Sequence, residues 1–126
     1  MMNHAAQRLV AVLGASDHPQ RYSYLATQRL LEHGFTPIPV NPTLKEVLGL
    51  PVVPRLGEIQ QPVDTLTVYL SPKRSTPLAD EIIQLHPQRV IFNPGAENEE
   101  LQNRLDKAGI PWIHACSLVL LSTGRF

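Results

Sequence analysis

The sequence has a single cysteine, Cys116, so no disulfide can form within the chain. Together with a polar stretch from Met1 to Arg8 that lacks the apolar segment of a secretory signal, this points to a reducing, cytoplasmic setting. Net charge is also missing. Eleven basic residues balance eleven acidic ones. A neutral chain has no general attraction for nucleic acid or an anionic membrane, so any anion must be held by local geometry. Aromatic residues make up only 6%, too few for a base-stacking platform. No apolar run approaches the roughly 20 residues of a membrane span. No repeat, low-complexity tract or linker divides the 126 residues, and the expectation is one domain over residues 1–126.

The chain does contain short apolar runs alternating with helical patterns. Leu9–Leu13 is a continuous apolar run ending at Gly14, the mark of a strand buried on both faces. A helix pattern begins near Ser23, read as its N-cap, and stops at Gly34. Phe35–Val40 reads as a second strand. Its Pro37 and Pro39 suit a position away from the sheet centre. Residues 43–62 are punctuated by proline, with a short strand at Val52-Val53 and a helical turn near Leu56–Ile59.

Val63–Leu70 reads as a third strand closed by Ser71-Pro72-Lys73-Arg74. A helix follows with Pro77 near its first position and an inner stripe of Leu78, Ala79, Ile82, Ile83 and His86. Arg89–Phe92 is a fourth strand, ending at Asn93-Pro94-Gly95. Glu97–Ala108 is a helix stopped by Gly109, and Ile110–Ala115 is a fifth strand. The tail, Ser117–Phe126, either adds a strand or docks on the body. This alternation predicts an α/β, Rossmann-like, doubly wound parallel sheet of about five strands, order 3-2-1-4-5, with helices on both faces.

Ligands of such sheets bind beyond the carboxyl ends of the strands, where the winding reverses. Gly14-Ala15-Ser16, Asn41-Pro42, Ser71-Pro72-Lys73-Arg74, Asn93-Pro94-Gly95 and Ala115-Cys116 should gather there. The helix after the first loop offers free amides and a partial positive charge, which suits phosphate. Ser16, Arg21, Ser23 and His18 add donors, while Asp17 opposes an anion and should point away. The loop lacks the further glycines of a G-x-G-x-x-G dinucleotide fingerprint, and the second strand ends in Asn41-Pro42 rather than in an acid for a ribose diol. Lys45, Lys73 and Arg74 suit a ribose bearing an extra phosphate, as in NADP and coenzyme A. The five histidines fit no metal spacing, and no catalytic constellation is evident.

Several segments carry a family likeness. They are Val10 to Ser16, Arg21 with Ser23-Tyr24, Pro39-Val40-Asn41-Pro42, Gly49-Leu50-Pro51-Val52, Pro62-Val63-Asp64, and Asn93-Pro94-Gly95-Ala96-Glu97-Asn98. In this order and spacing the chain resembles the small CoA-binding proteins. It is similar to the N-terminal nucleotide-binding domain of the succinyl-CoA synthetase α subunit and of NDP-forming acyl-CoA synthetases. The resemblance implies coenzyme A or an acyl-CoA as ligand, with pyrophosphate by the first loop and adenosine over the loops after the second and third strands.

The contacts it implies are Gly14, Ala15, Ser16, Arg21 and Ser23, then Asn41, Pro42 and Lys45, then Ser71, Pro72 and Lys73, then Asn93, Pro94 and Gly95. It implies no ligase activity, because the synthetases' phosphohistidine domain has no counterpart in these residues. The expectation is a stand-alone carrier, sensor or accessory subunit without catalysis of its own. Three alternatives stay open. One is an NADP-type oxidoreductase or redox sensor. Another is a protein–protein module using Leu118–Leu121. The third is a subunit of a partner-dependent synthetase. A homodimer is compatible with each. Cys116, near the same sheet edge, is a candidate for a mixed disulfide with the ligand thiol.

Overall fold

A computed structural model describes residues 8–126; residues 1–7, with His4 and most of the polar stretch read above, lie outside them. Five parallel strands form the sheet: β1 (Leu9–Leu13), β2 (Thr36–Val40), β5 (Thr65–Val68), β6 (Arg89–Phe92) and β7 (Trp112–His114). β3 (Glu46–Val47) and β4 (Leu50–Pro51) make a small antiparallel hairpin beside it. The helices are α1 (Tyr22–Glu32), α2 (Pro72–Ser75), α3 (Ala79–Leu85), α4 (Glu99–Ala108) and α5 (Ser117–Ser122).

Strand alternation builds two cores. Val10 and Val12 of β1 pack with Leu30 of α1 and Leu121 of α5 on one face. Ala11 and Leu13 pack with Ile82, Leu101 and Leu105 of α3 and α4 on the other. The helices turn matching stripes inward: Ser23, Ala26, Thr27 and Leu30 are the buried positions of α1, at the three- and four-residue spacing of one helical face. Among the described residues no helix is long and apolar enough to cross a membrane.

The sheet order is β2-β1-β5-β6-β7. In strands counted along the main sheet this is 2-1-3-4-5, a doubly wound order, and it corrects the expected 3-2-1-4-5. The prolines of β2 give the physical reason. Thr36 donates to the Arg8 carbonyl, so the amides of residues 36, 38 and 40 face β1. Pro37 and Pro39 therefore stand where outward-facing donors would be, and that edge cannot feed a full third-strand ladder. A single bridge from Val53 covers it, with the Val53 amide donating to the Pro39 carbonyl. The chain then crosses to the other side of β1.

Several local expectations are also corrected. Arg21 occupies the N-cap position of α1, and Ser23 lies buried in its first turn rather than capping it. The helix expected near Pro77 begins earlier, with Pro72 opening α2; a 3₁₀ turn at Thr76–Leu78 then leads into α3. His86 is not part of an inner stripe. It closes α3 in a left-handed conformation, exposed. The fourth helix starts at Glu99 because the Asn98 side chain accepts the Leu101 amide, a cap that the Glu97 start overlooked. The 43–62 stretch holds its hairpin at 46–51, turning through Leu48 and Gly49, both at positive φ. Leu56–Glu58 is the expected helical turn. The tail docks as a helix. Leu121 is buried in the core, while Val119 stays 56% exposed.

Candidate functional site

In a 2-1-3-4-5 sheet the winding reverses between the first strand and the third, here β1 and β5. An open cleft of about 680 Å³ lies there. Residues 13–18 and Arg21 form one wall, residues 40–44 another, and Pro54–Leu56 with Tyr69, Leu70, Arg74, Leu78 and Glu81 the remainder.

The first loop is held from below. Gly14 has φ +89°, and a Cβ there would stand 2.9 Å from Leu70 Cδ2 and 3.2 Å from its Cγ. The positive φ favours glycine, and a methyl there would press on the Leu70 side chain just past β5. The Gly14 and Ala15 amides both donate to the Val40 carbonyl, at 3.3 and 3.1 Å, so neither is free for an anion. Ser16 Oγ accepts the His18 amide at 3.0 Å and turns the loop. The amides of Ser16 and Asp17 have no hydrogen-bond partner among the described residues. Just beyond, the first-turn amides of α1 lack intrahelical partners by helix geometry, and no acid stands in that turn. This is a donor-rich concavity for an anion.

Asn41 braces the opposite wall. Its Nδ2 donates to the Ala15 carbonyl at 2.9 Å, and its Oδ1 accepts from the Thr43 and Leu44 amides. Its side chain thus ties the first loop to the second. Arg21 and Arg74 line the cleft, exposed, and among the described residues neither has an ion-pair partner. Arg55 pairs with Glu81 at 3.5 Å. Asp17 lines the cleft too, 3.8 Å from His18 Nε2, rather than standing clear of it.

Tyr69 also lines the cleft. Its hydroxyl oxygen is buried without a hydrogen-bond partner, and burial is the main reason its pKa is pushed up to about 12. The nearby Thr67 and Ser117 hydroxyls offset that rise only in part; they bond each other at 2.9 Å.

Of the residues singled out in the sequence, Gly14, Ala15, Ser16, Arg21, Asn41, Pro42 and Arg74 meet in the cleft. Ser23, Lys45, Ser71, Pro72, Lys73, Asn93, Pro94 and Gly95 do not line it. The sheet order explains the last three. With β5 beside β1, the loop after β6 is two strands from the first loop. Asn93 is instead a buried brace. Its Nδ2 donates to Thr67 Oγ1 at 2.7 Å and to the Val68 carbonyl at 2.9 Å, and its Oδ1 accepts the Ser117 amide at 2.8 Å. The Gly95 amide is occupied by Glu97. Cys116 flanks α5, half-buried and outside the cleft lining. Sequence reading missed Pro54–Leu56, Leu78 and Glu81, whose convergence depends on how the 41–64 connection folds back over α3.

A family model described as CoA binding domain matches residues 8–122. The chain belongs to the CoA-binding domain family. One relative is the uncharacterized protein YneT of Bacillus subtilis, 33% identical over 100 residues, which span 79% of this chain and 74% of that protein. A crystal structure of an uncharacterized protein is 41% identical, with a TM-score of 0.85, over 95% of this chain and 98% of that one. The dinucleotide forming acetyl-coenzyme A synthetase 1 of Ca. Korarchaeum cryptofilum superposes with a TM-score of 0.72 at 23% identity. That match covers 83% of this chain and 25% of the synthetase, and at such identity it shows the shared fold.

Proposed function

We propose that this CoA-binding domain takes coenzyme A, or an acyl-CoA, into the cleft between β1 and β5 and acts as a carrier, sensor or accessory subunit without catalysing a reaction itself. One observation carries the reading. At the switch point the unpartnered Ser16 and Asp17 amides, the N-terminus of α1 and the unpaired Arg21 converge on one open cleft, which suits a pyrophosphate. Arg74, also unpaired and on the cleft, suits the ribose 3′-phosphate. Lys45 and Lys73 lie outside the lining and are secondary candidates. Asn41 spends its side chain on the loops, so the end of β2 offers no carboxylate to a ribose diol; this favours coenzyme A over NAD. Ser16 Oγ accepts from the His18 backbone rather than from its ring, so the loop holds no Ser–His pair that would activate a nucleophile.

Calorimetric titration with coenzyme A tests the reading. Wild type should bind, and Arg21→Ala and Arg74→Ala should each weaken binding by roughly 10- to 100-fold, the worth of one charge-assisted hydrogen bond. Absence of binding by wild type, or unchanged affinity in both variants, overturns it.

A further inference from the structure

The cleft has a second polar end that the phosphate reading leaves unused. Glu81 of α3 keeps only 25% of its side chain exposed. Its Oε1 accepts the Gly57 amide at 3.1 Å and Arg55 Nε at 3.5 Å. Among the described residues its Oε2 has no partner, and neither do the terminal amino groups of Arg55. The backbone contact with Gly57 fixes the carboxylate in place. A fixed carboxylate repels phosphate, so this end is not a second anion site. It offers one free acceptor oxygen beside free guanidinium donors, with Pro54, Leu56 and Leu78 as apolar walls. That set complements a flat heteroaromatic edge carrying an amino group next to a ring-nitrogen acceptor.

We propose that Glu81 and Arg55 read the adenine base on its Hoogsteen edge: Glu81 Oε2 accepts from the 6-amino group, and Arg55 donates to N7, an acceptor that hypoxanthine also carries. The proposal rests on the coenzyme A reading above and adds base specificity to it. Neither residue takes part in chemistry; both set which nucleotide the cleft accepts.

The test compares coenzyme A with deamino-CoA, whose hypoxanthine carries a carbonyl oxygen where adenine has the amino group. Two acceptors would then face each other without a proton between them. Wild type should bind deamino-CoA on the order of 10- to 100-fold more weakly, since a site built for a donor rejects the analogue lacking it. Glu81→Gln keeps an acceptor for the Gly57 amide, which leaves its NH2 group facing the ligand, a donor matched to the hypoxanthine carbonyl and mismatched to the 6-amino group. In that variant the preference for coenzyme A should disappear or reverse. A merely structural role for Glu81 would weaken both ligands alike and leave their ratio unmoved. Equal binding of the two ligands by wild type overturns the proposal while coenzyme A binding stands, and this arm needs no variant to fold. A ratio that survives in Glu81→Gln overturns it too. Failure of wild type to bind coenzyme A removes the underlying reading and the proposal with it.

Discussion

Gly14 and Gly34 have nearly the same backbone conformation, φ +89° and +84°, in different surroundings. Replacing each with alanine therefore separates backbone strain from contact. A residue with a Cβ pays roughly 1–2 kcal/mol in the left-handed region. At Gly34 nothing lies within 4 Å of the new methyl, so the loss should stop there. At Gly14 the methyl meets Leu70 at 2.9 and 3.2 Å and the Tyr69 carbonyl carbon at 3.4 Å. Overpacking of this kind adds about 1–3 kcal/mol. Gly14→Ala should therefore cost about 2–5 kcal/mol against about 1–2 kcal/mol for Gly34→Ala. In a chain of this size each kcal/mol lowers Tm by roughly 3–5 °C. Urea titration measures both losses. A cycle with Leu70→Ala isolates the contact: in that background the Gly14→Ala loss should shrink toward the Gly34 value. Equal losses at the two glycines, or no coupling between residues 14 and 70, would refute the claim that the first loop is seated on the end of β5.

Tyr69→Phe should be neutral or stabilising at pH 7, since it removes a buried hydroxyl that lacks a partner. The folded pKa of Tyr69, about 12, exceeds the ordinary value. The wild type should thus lose about 2–3 kcal/mol as pH rises from about 10 to 12; pH-resolved urea melts should show that this loss is absent from the variant. Asp64 behaves in the opposite sense. Burial raises its pKa, but hydrogen bonds from Arg8 and Thr65 and the charges of Arg8 and Arg89 outweigh burial and lower it. Its contribution is present above the ordinary carboxylate value near 3.9 and is lost as pH falls through the lowered one. Acid titrations of Asp64→Asn should therefore lack one component of the wild-type decline. Asn93→Ala should cost about 2–4 kcal/mol in thermal or urea unfolding, because it strands the buried Ser117 amide and removes two further bonds, to Thr67 Oγ1 and the Val68 carbonyl; the folded variant should keep its coenzyme A affinity.

How far the sequence was legible depends on whether a feature is local. The β1 run, the Gly34 stop and the Leu56 turn each rest on a few neighbouring residues, and each appears where read. The prolines of β2 point away from the sheet centre, and the strand goes further, to the edge itself. Strand order was misread because placing the third strand beyond β2 is locally consistent; only the outward direction of Pro37 and Pro39 forbids it, and direction is a property of the paired sheet. In the observed order β5 stands between the strand ending at Gly14 and the one leading to the Asn93–Gly95 loop. The hairpin at 46–51 was hidden because its turn uses Leu48 at φ 52°, not the usual asparagine or aspartate. Glu81 is a first-turn acid of α3 with no local signal of its role, and its contacts with Arg55 and Gly57 come from the fold-back of the preceding connection.

If the switch-point cleft binds coenzyme A through its phosphates, calorimetry of coenzyme A against 3′-dephospho-CoA, on wild type and Arg74→Ala, will show it. Wild type should bind coenzyme A, removal of the 3′-phosphate should weaken binding by roughly 10- to 100-fold, and the two ligands should become nearly equal in Arg74→Ala. Failure of wild type to bind coenzyme A, or indifference to the 3′-phosphate, would contradict it.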